Sequence, residues 1–407
     1  MTVTASVPMP TLPPFLFQSV RRIEVGAGCA ARLAEVAAEF RPGDDRRPTA
    51  LLVTDAFLRR SGLLTPALAG LEAAGWDVRI YDGVTPDPSE AVVLAATELA
   101  RGADLVIGFG GGSSMDTAKV AAVLGCPDPA LPQPLTLAQL YGVESVRAQR
   151  LPLIQVPTTA GTGSEVTRIS IVTTGESTKA GIVNRALLAD HVLLDATLTL
   201  GLPPAVTAAT GIDAMVHAIE AYTSVHRKNP LSDLLAREAL ARLGGALMAA
   251  VERGSDAAAR EQMLIGAMLA GMAFENAPVA AVHALAYPLG GVYHLPHGLS
   301  NALVLPQVLR FNRVAAEALY AELAAVLLPA AGVALPDGAA ARCDALLTWL
   351  DGLCARTGLP ARLRDCDIPR DALPELARQA MGQQRLLQNN PRPVGEADAL
   401  AIYEAAW

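Results

Sequence analysis

The chain has 407 residues, 52% hydrophobic and 18% charged, with a net charge of −8 and a pI near 5.3. That length exceeds one ordinary core, so two domains are expected, and the hydrophobic fraction excludes a disordered chain. No basic run is present, which argues against nucleic acid or an anionic membrane surface as a partner.

The N-terminal stretch MTVTASVPMPTLPPFLFQ lacks a basic region and is broken by prolines, so it does not read as a signal peptide. The five cysteines (Cys29, Cys126, Cys343, Cys354 and Cys366) are odd in number and form no CxxC pair. They read as reduced thiols of a cytoplasmic protein. From Thr49 the chain alternates between β and α patterns. Thr49–Asp55 predicts a strand, Leu64–Gly75 a helix, Asp77–Asp82 a strand and Pro88–Arg101 a helix. Asp104–Gly110 then reads as a buried strand, Ser113–Leu124 as a helix and Leu151–Pro157 as another apolar strand. Such alternation implies right-handed crossovers and a parallel sheet covered on both faces. A hairpin-like pair is expected over 168–184, and a last strand at His191–Asp195.

Two loops in this half carry chemistry. In DLVIGFGGGSSMDTAK, glycines Gly108, Gly110, Gly111 and Gly112 join a strand to a helix opening at Ser113. Bare backbone amides beside a helix N-terminus suit a pyrophosphate, although the pattern is neither a full GxGxxG nor a P-loop. A tight turn without a ligand is the alternative. PTTAGTGSE follows the next strand and supplies Thr158, Thr159, Thr162 and Ser164 as hydroxyls. Two such loops at the carboxyl ends of parallel strands mark where ligands sit in open α/β sheets. Asp55, ending the first predicted strand, is placed to bond an adenosine ribose or to cap a helix.

After Leu200–Pro204 alanine-rich helical periodicity takes over. The expected organisation is an α/β, Rossmann-like dinucleotide-binding domain at 1–200 and an all-α metal-binding domain at 201–407. Met263–Tyr293 is long and apolar, but Glu275, Pro278, His283 and Pro288 interrupt it, and it reads as a pair of buried helices, not a membrane span. Within this half, Asp213 and His217 are four residues apart on one helix face. VHALAYPLGGVYHLPHG adds His283, His294 and His297. Ionisable groups in apolar helices need partners, and Asp213, His217, His283 and His297 make a set suited to a divalent first-row metal. His294 is the rival to His297, whose flanking proline and glycine fix its backbone. A closed four-ligand site would suit structural zinc, whereas a metal accepting five or six ligands, such as Fe(II), keeps positions for substrate. A dinucleotide loop and a Lewis acid together suggest hydride transfer in a cleft.

GGGSSMDTAK, PTTAGTGSEVT, GIDAMVHAIEAY and VHALAYPLGGVYHLPHG resemble, in the same order, the signature blocks of the iron-containing (group III) alcohol dehydrogenases. The resemblance covers the chain from Arg22 to about Asn390. It implies a dehydroquinate synthase-like two-domain architecture with the active site in the cleft, NAD(H), Fe(II) as the usual metal (with zinc or another divalent ion able to use the same ligands), and a homodimer. By position it implies Asp213, His217, His283 and His297 as metal ligands. It also implies Asp55, Gly111, Gly112, Ser113, Asp116, Thr158, Thr159, Thr162 and Lys179 along the cofactor. The activity implied is interconversion of a small alcohol and its aldehyde, or of a hydroxyacid and its oxoacid. One position departs: many members read AHP where this chain has Ala286-Tyr287-Pro288. Tyr287 is therefore the candidate proton-passing residue, and a poorer shuttle than histidine at neutral pH. The branch resembling hydroxyacid–oxoacid transhydrogenases, which retain their nucleotide, carries tyrosine there too. Tyr287 marks either a change of substrate or a neutral substitution.

Overall fold

The computed structural model describes residues 14–127, 133–175 and 178–407. Nine strands occur among them: β1 Arg22–Val25, β2 Thr49–Asp55, β3 Asp77–Val84, β4 Leu105–Gly110, β5 Gly142–Val143, β6 Leu153–Pro157, β7 Ile169–Thr174, β8 Thr178–Val183 and β9 His191–Leu194. The helices of the first half are α1 Leu33–Ala37, α2 Ala56–Ser61, α3 Thr65–Ala73, α4 Glu90–Ala100, α5 Gly112–Leu124 and α6 Leu137–Leu140.

Six strands form one parallel sheet in the order β1-β9-β6-β4-β2-β3. Its inner strands read as near-continuous apolar runs because helices cover both faces, and every residue of β4 and β6 is buried. The chain runs from β2 outward to β3, then crosses back to β4 on the other side of β2. That reversal opens a crevice at the carboxyl ends of β2 and β4, where α/β sheets bind ligands. β7 and β8 pair antiparallel, and β5 joins β8 in a separate three-stranded sheet. The sequence pattern did not predict β1. RIEV lies at the sheet edge with a half-exposed, charged face, so it carries no buried apolar run.

No strand occurs after β9 among the described residues. The helices that follow are α7 Pro204–Thr223, α8 Pro230–Glu252, α9 Ala257–Asn276, α10 Ala281–Tyr293, α11 His297–Ala330, α12 Ala339–Asp351, α13 Leu353–Thr357, α14 Leu373–Ala380, α15 Gln384–Leu387 and α16 Glu396–Ala406. α7 is buried along nearly its whole length from Thr207 to Thr223, so all its faces meet protein. Among the described residues no single helix is long and apolar enough to cross a membrane. α9 and α10 pass that test only as a pair bent by 108°. The bend falls at Pro278, where a proline cannot continue the helix. The loop after β6 and the helical half are fastened by direct backbone contact. A Cβ on Gly163, whose φ is +59°, would lie 2.5 Å from the Cα of Gly271 in α9.

Candidate active site

α5 begins directly after β4 with Gly111 at its N-cap, and no side chain caps it. Its first amides are therefore free for an outside acceptor, with the positive end of the helix dipole behind them. Gly112 is a close-approach position, since a Cβ there would come 2.8 Å from Thr162 Cγ2. The two loops are thus pressed together by the absence of side chains.

A buried lysine holds them in register. Lys119 Nζ donates to Ser164 Oγ at 2.7 Å, Ile169 O at 2.7 Å and Asp116 Oδ1 at 3.2 Å. Asp116 in turn accepts from Ser164 Oγ at 2.5 Å and, through Oδ2, from Ile171 N at 2.9 Å. One carboxylate and one ammonium therefore tie α5, the second loop and β7. Burial lowers the Lys119 pKa, and Asp116 opposes that shift.

The second cluster lies where α7, α10 and α11 converge. Asp213 and His217 share one face of α7, His283 sits in the first turn of α10, and His297 opens α11. Each of the four offers a ligand atom within 4.8 Å of all the others. The Nε2 atoms of His217, His283 and His297 stand 3.9, 3.9 and 3.6 Å from Asp213 Oδ1. Donor atoms about 2.0–2.2 Å from one cation lie roughly 3–4 Å from each other, so this spacing fits a shared ion. Burial pushes the His217 imidazole down to about 3 and also lowers His297, so both rings are neutral and ready to donate a lone pair. Burial works to raise Asp213, yet the carboxyl is held below its ordinary value, with the Asn301 amide donating to it. His217 stacks on Phe274 with ring centroids 4.4 Å apart, which fixes its plane.

Two polar residues support this set. Glu220, on α7, takes the backbone N–H of Val282 at 2.6 Å on one oxygen and faces His283 Nδ1 at 2.6 Å with the other. A buried carboxylate at that distance requires the proton on Nδ1, which leaves the Nε2 lone pair directed at Asp213. Asn301, one turn after His297, donates to Asp213 Oδ1 at 2.6 Å. Its Nδ2 lies 3.3 Å from both His283 Nε2 and His297 Nε2, while its own Oδ1 is buried without a partner. Acceptors crowded around a single amide nitrogen form a site lacking positive charge, which a cation supplies. The donor set therefore fits a divalent metal.

Both clusters open onto one cavity of about 180 Å³. Its walls include Gly112, Ser113, Asp116, Thr162 and Lys179 from the first half, and Asp213, His217, His283, Tyr287 and His297 from the second. Lys179 Nζ pairs with Asp87 Oδ1 at 2.9 Å and donates to Thr173 Oγ1 at 3.1 Å. Burial raises the Tyr287 pKa, so its hydroxyl keeps its proton at neutral pH; its ring centroid is 6.1 Å from that of His297.

The other expected residues do not line this cavity. Gly111 abuts Thr159, Thr158 N bonds Gly110 O at 3.0 Å, and Asp55 caps α2 by accepting from Phe57 N and Leu58 N at 2.9 Å. The cap reading of Asp55 is thus realised, at the end of β2. His294 is an exposed left-handed residue ending α10, outside the cluster. Glu220 and Asn301 do not stand out in the sequence. The available signal was their spacing, three residues after His217 and four after His297, as polar groups on the same apolar helix faces.

A parallel nucleotide-type crevice facing a buried carboxylate–imidazole cluster is the site of a two-part oxidoreductase. Residues 21–196 match the model of the iron-containing alcohol dehydrogenases, and residues 207–407 match the C-terminal model of the Fe-containing alcohol dehydrogenase family. Long-chain-alcohol dehydrogenase 1 of Geobacillus thermodenitrificans is 43% identical over 88% of this chain and 89% of its own. A solved structure described as 1,3-propanediol oxidoreductase superposes with a TM-score of 0.89 at 33% identity, over 97% of this chain and all of that one. Sulfoacetaldehyde reductase from Bifidobacterium kashiwanohense, solved in complex with NAD+, gives 0.83 at 27% identity over 97% and 99% of the two chains. The chain belongs to the iron-containing alcohol dehydrogenase family.

Proposed function

We propose that the protein is an NAD-dependent, Fe(II)-dependent oxidoreductase interconverting a small alcohol, or hydroxyacid, with its carbonyl partner. The observation that carries this reading is the shared cavity, with the glycine loop and Lys179 on one wall and the four donor side chains on the other. Residues 1–200 would form the nucleotide-binding unit and 201–407 the metal-binding unit of a cytoplasmic homodimer. Asp213, His217, His283 and His297 would hold the metal, which when bound supplies Lewis-acid polarisation of the substrate oxygen while NAD supplies the hydride acceptor.

The chain's own residues do the rest. The uncapped start of α5 and the amides around Gly111 and Gly112 would receive the pyrophosphate, with Thr158, Thr159 and Thr162 lining its path. Asp55 would bond the adenosine ribose. Ser113, Asp116 and Lys179 would bound the nicotinamide end. Phe274 and Leu295, apolar residues of the same wall, would help exclude water from the reacting centre. Tyr287, protonated and beside His297, would donate a hydrogen bond and pass the substrate proton outward through water. Stripping the metal with a chelator should abolish turnover while NAD binding, read by calorimetry, persists. Full activity in a metal-free sample would end this reading.

Tyr287 also supports a second reading, a hydroxyacid–oxoacid transhydrogenase that keeps its nucleotide bound. Hydroxyacid oxidation coupled to oxoacid reduction without added NAD would favour it; release of free NADH each cycle would exclude it.

A further inference from the structure

The cavity contains one cation that nothing in the proposed chemistry uses. Arg385, on the short helix α15, lines the wall together with Leu386 and Tyr287. The other charged groups there are matched: Lys179 pairs with Asp87, and Asp116 with Lys119. Arg385 differs, because its guanidinium makes no ion pair or hydrogen bond among the described residues. Room for it is built into the hairpin opposite. Gly181 in β8 has no side chain, and a Cβ there would lie 3.2 Å from an Arg385 guanidinium nitrogen.

The arginine is also held from behind. Asn389 Nδ2 donates to Arg385 O and to Val279 O, both at 3.0 Å, which ties α15 to the segment between α9 and α10. Its charge acts on the Tyr287 hydroxyl, working against the rise that burial causes. Tyr287 in turn stands beside His297. The donor cluster, Tyr287 and Arg385 thus line the same cavity. On its far side Arg385 borders a second hollow lined by Arg168, His226 and Arg227. The one carboxylate lining that hollow among the described residues, Glu275, is already paired with Arg168 at 2.7 Å. Arg168 also pairs with Glu144 at 3.0 Å, so the charge this hollow adds beside Arg385 comes from Arg227. A planar guanidinium that is partly buried and unpaired is preorganised for a bidentate oxyanion.

We propose that Arg385 receives a carboxylate or sulfonate at the far end of the substrate, making the preferred substrates small alcohols or aldehydes that carry a terminal acid. This inference rests on the dehydrogenase reading above and adds the substrate class. It predicts that the metal-loaded enzyme with NAD oxidises ω-hydroxy acids of three to six carbons with higher kcat/KM than the matching unbranched alcohols. Arg385→Ala should lower that acid-to-alcohol ratio by about 10–100-fold, the usual scale for one charge-assisted bidentate contact. Arg385→Lys should retain part of it. Binding of unreactive butyrate and propane-1-sulfonate, titrated calorimetrically into the NAD complex, reads the same contact without turnover and separates carboxylate from sulfonate. Both anions should bind at least 10-fold more weakly to Arg385→Ala.

An unchanged ratio together with unchanged anion binding in Arg385→Ala would overturn the inference. So would an equal rise in the NAD KM with both substrate types, which would assign the arginine to the cofactor. Failure of the dehydrogenase reading looks different: no alcohol or acid is oxidised, whatever the anion titrations give.

Discussion

Replacing Glu220 with glutamine tests how the imidazoles are aimed. Glu220 accepts two hydrogen bonds in a buried position, from Val282 N and from His283 Nδ1, each at 2.6 Å. Glutamine has one oxygen for these two donors. If its oxygen faces Val282, its NH2 faces His283 Nδ1, and the ring must move its proton to Nε2. That nitrogen is the one directed at the donor cluster, so one ligand disappears. If its oxygen faces His283 instead, the NH2 opposes the Val282 N–H, and two buried donors confront each other at a cost of about 1–3 kcal/mol. Either arrangement weakens the site. Losing such a supporting carboxylate lowers metal affinity by about 10–100-fold, or roughly 1.4–2.8 kcal/mol. Competition against a chromophoric chelator under anaerobic conditions measures this directly, and a parallel NAD titration should be unchanged. A Glu220→Gln protein holding Fe(II) within twofold of wild type, with the same melting temperature, would refute the reasoning.

Other outcomes follow from the same geometry. Gly163→Ala places a Cβ 2.5 Å from Gly271 Cα at φ +59°, so denaturant unfolding should show a loss of roughly 2–4 kcal/mol. Gly112→Ala drives a Cβ to 2.8 Å from Thr162 Cγ2 and parts the two loops. NAD affinity should fall by about tenfold or more by calorimetry, with metal content unchanged. Glu165 is buried, and burial raises its carboxyl from 4.5 to about 7 against the pull of Lys119. The folded state then holds a proton that the unfolded state releases, so its contribution is full below pH 4.5 and is lost as pH rises to about 7. Wild type should lose up to about 3 kcal/mol relative to Glu165→Gln across that window, and parallel pH–stability curves would contradict this.

The central strands were legible because burial on both faces leaves an unbroken apolar run, as in Leu105–Gly110 and Leu153–Pro157. Arg22–Val25 was not, since an edge strand half in water has no such signature. The residues of the donor cluster could be nominated from sequence because carboxylates and imidazoles are costly in helices as apolar as α7 and α10. Their meeting point depends on how α7, α10 and α11 cross, which no local pattern encodes. Glu220 and Asn301 shared that apolar setting but were single residues without a pattern of their own. The fully buried position of Lys119 is likewise a tertiary fact, set by the second loop and β7 closing over it. Arg385 had no local signal at all. QQRLLQNN reads as an ordinary polar surface stretch, and only the packing of α15 beside Tyr287 gives that arginine meaning.

The most direct test is metal stoichiometry after anaerobic Fe(II) loading and desalting, measured by mass spectrometry on wild type and single alanine variants. One ion per wild-type chain is predicted. Near-complete loss is expected in Asp213→Ala, His217→Ala, His283→Ala and His297→Ala, whereas His294→Ala, altered outside the cluster, should keep its ion. If the four variants hold as much iron as His294→Ala, or if wild type holds none, these side chains do not share a cation and the account fails.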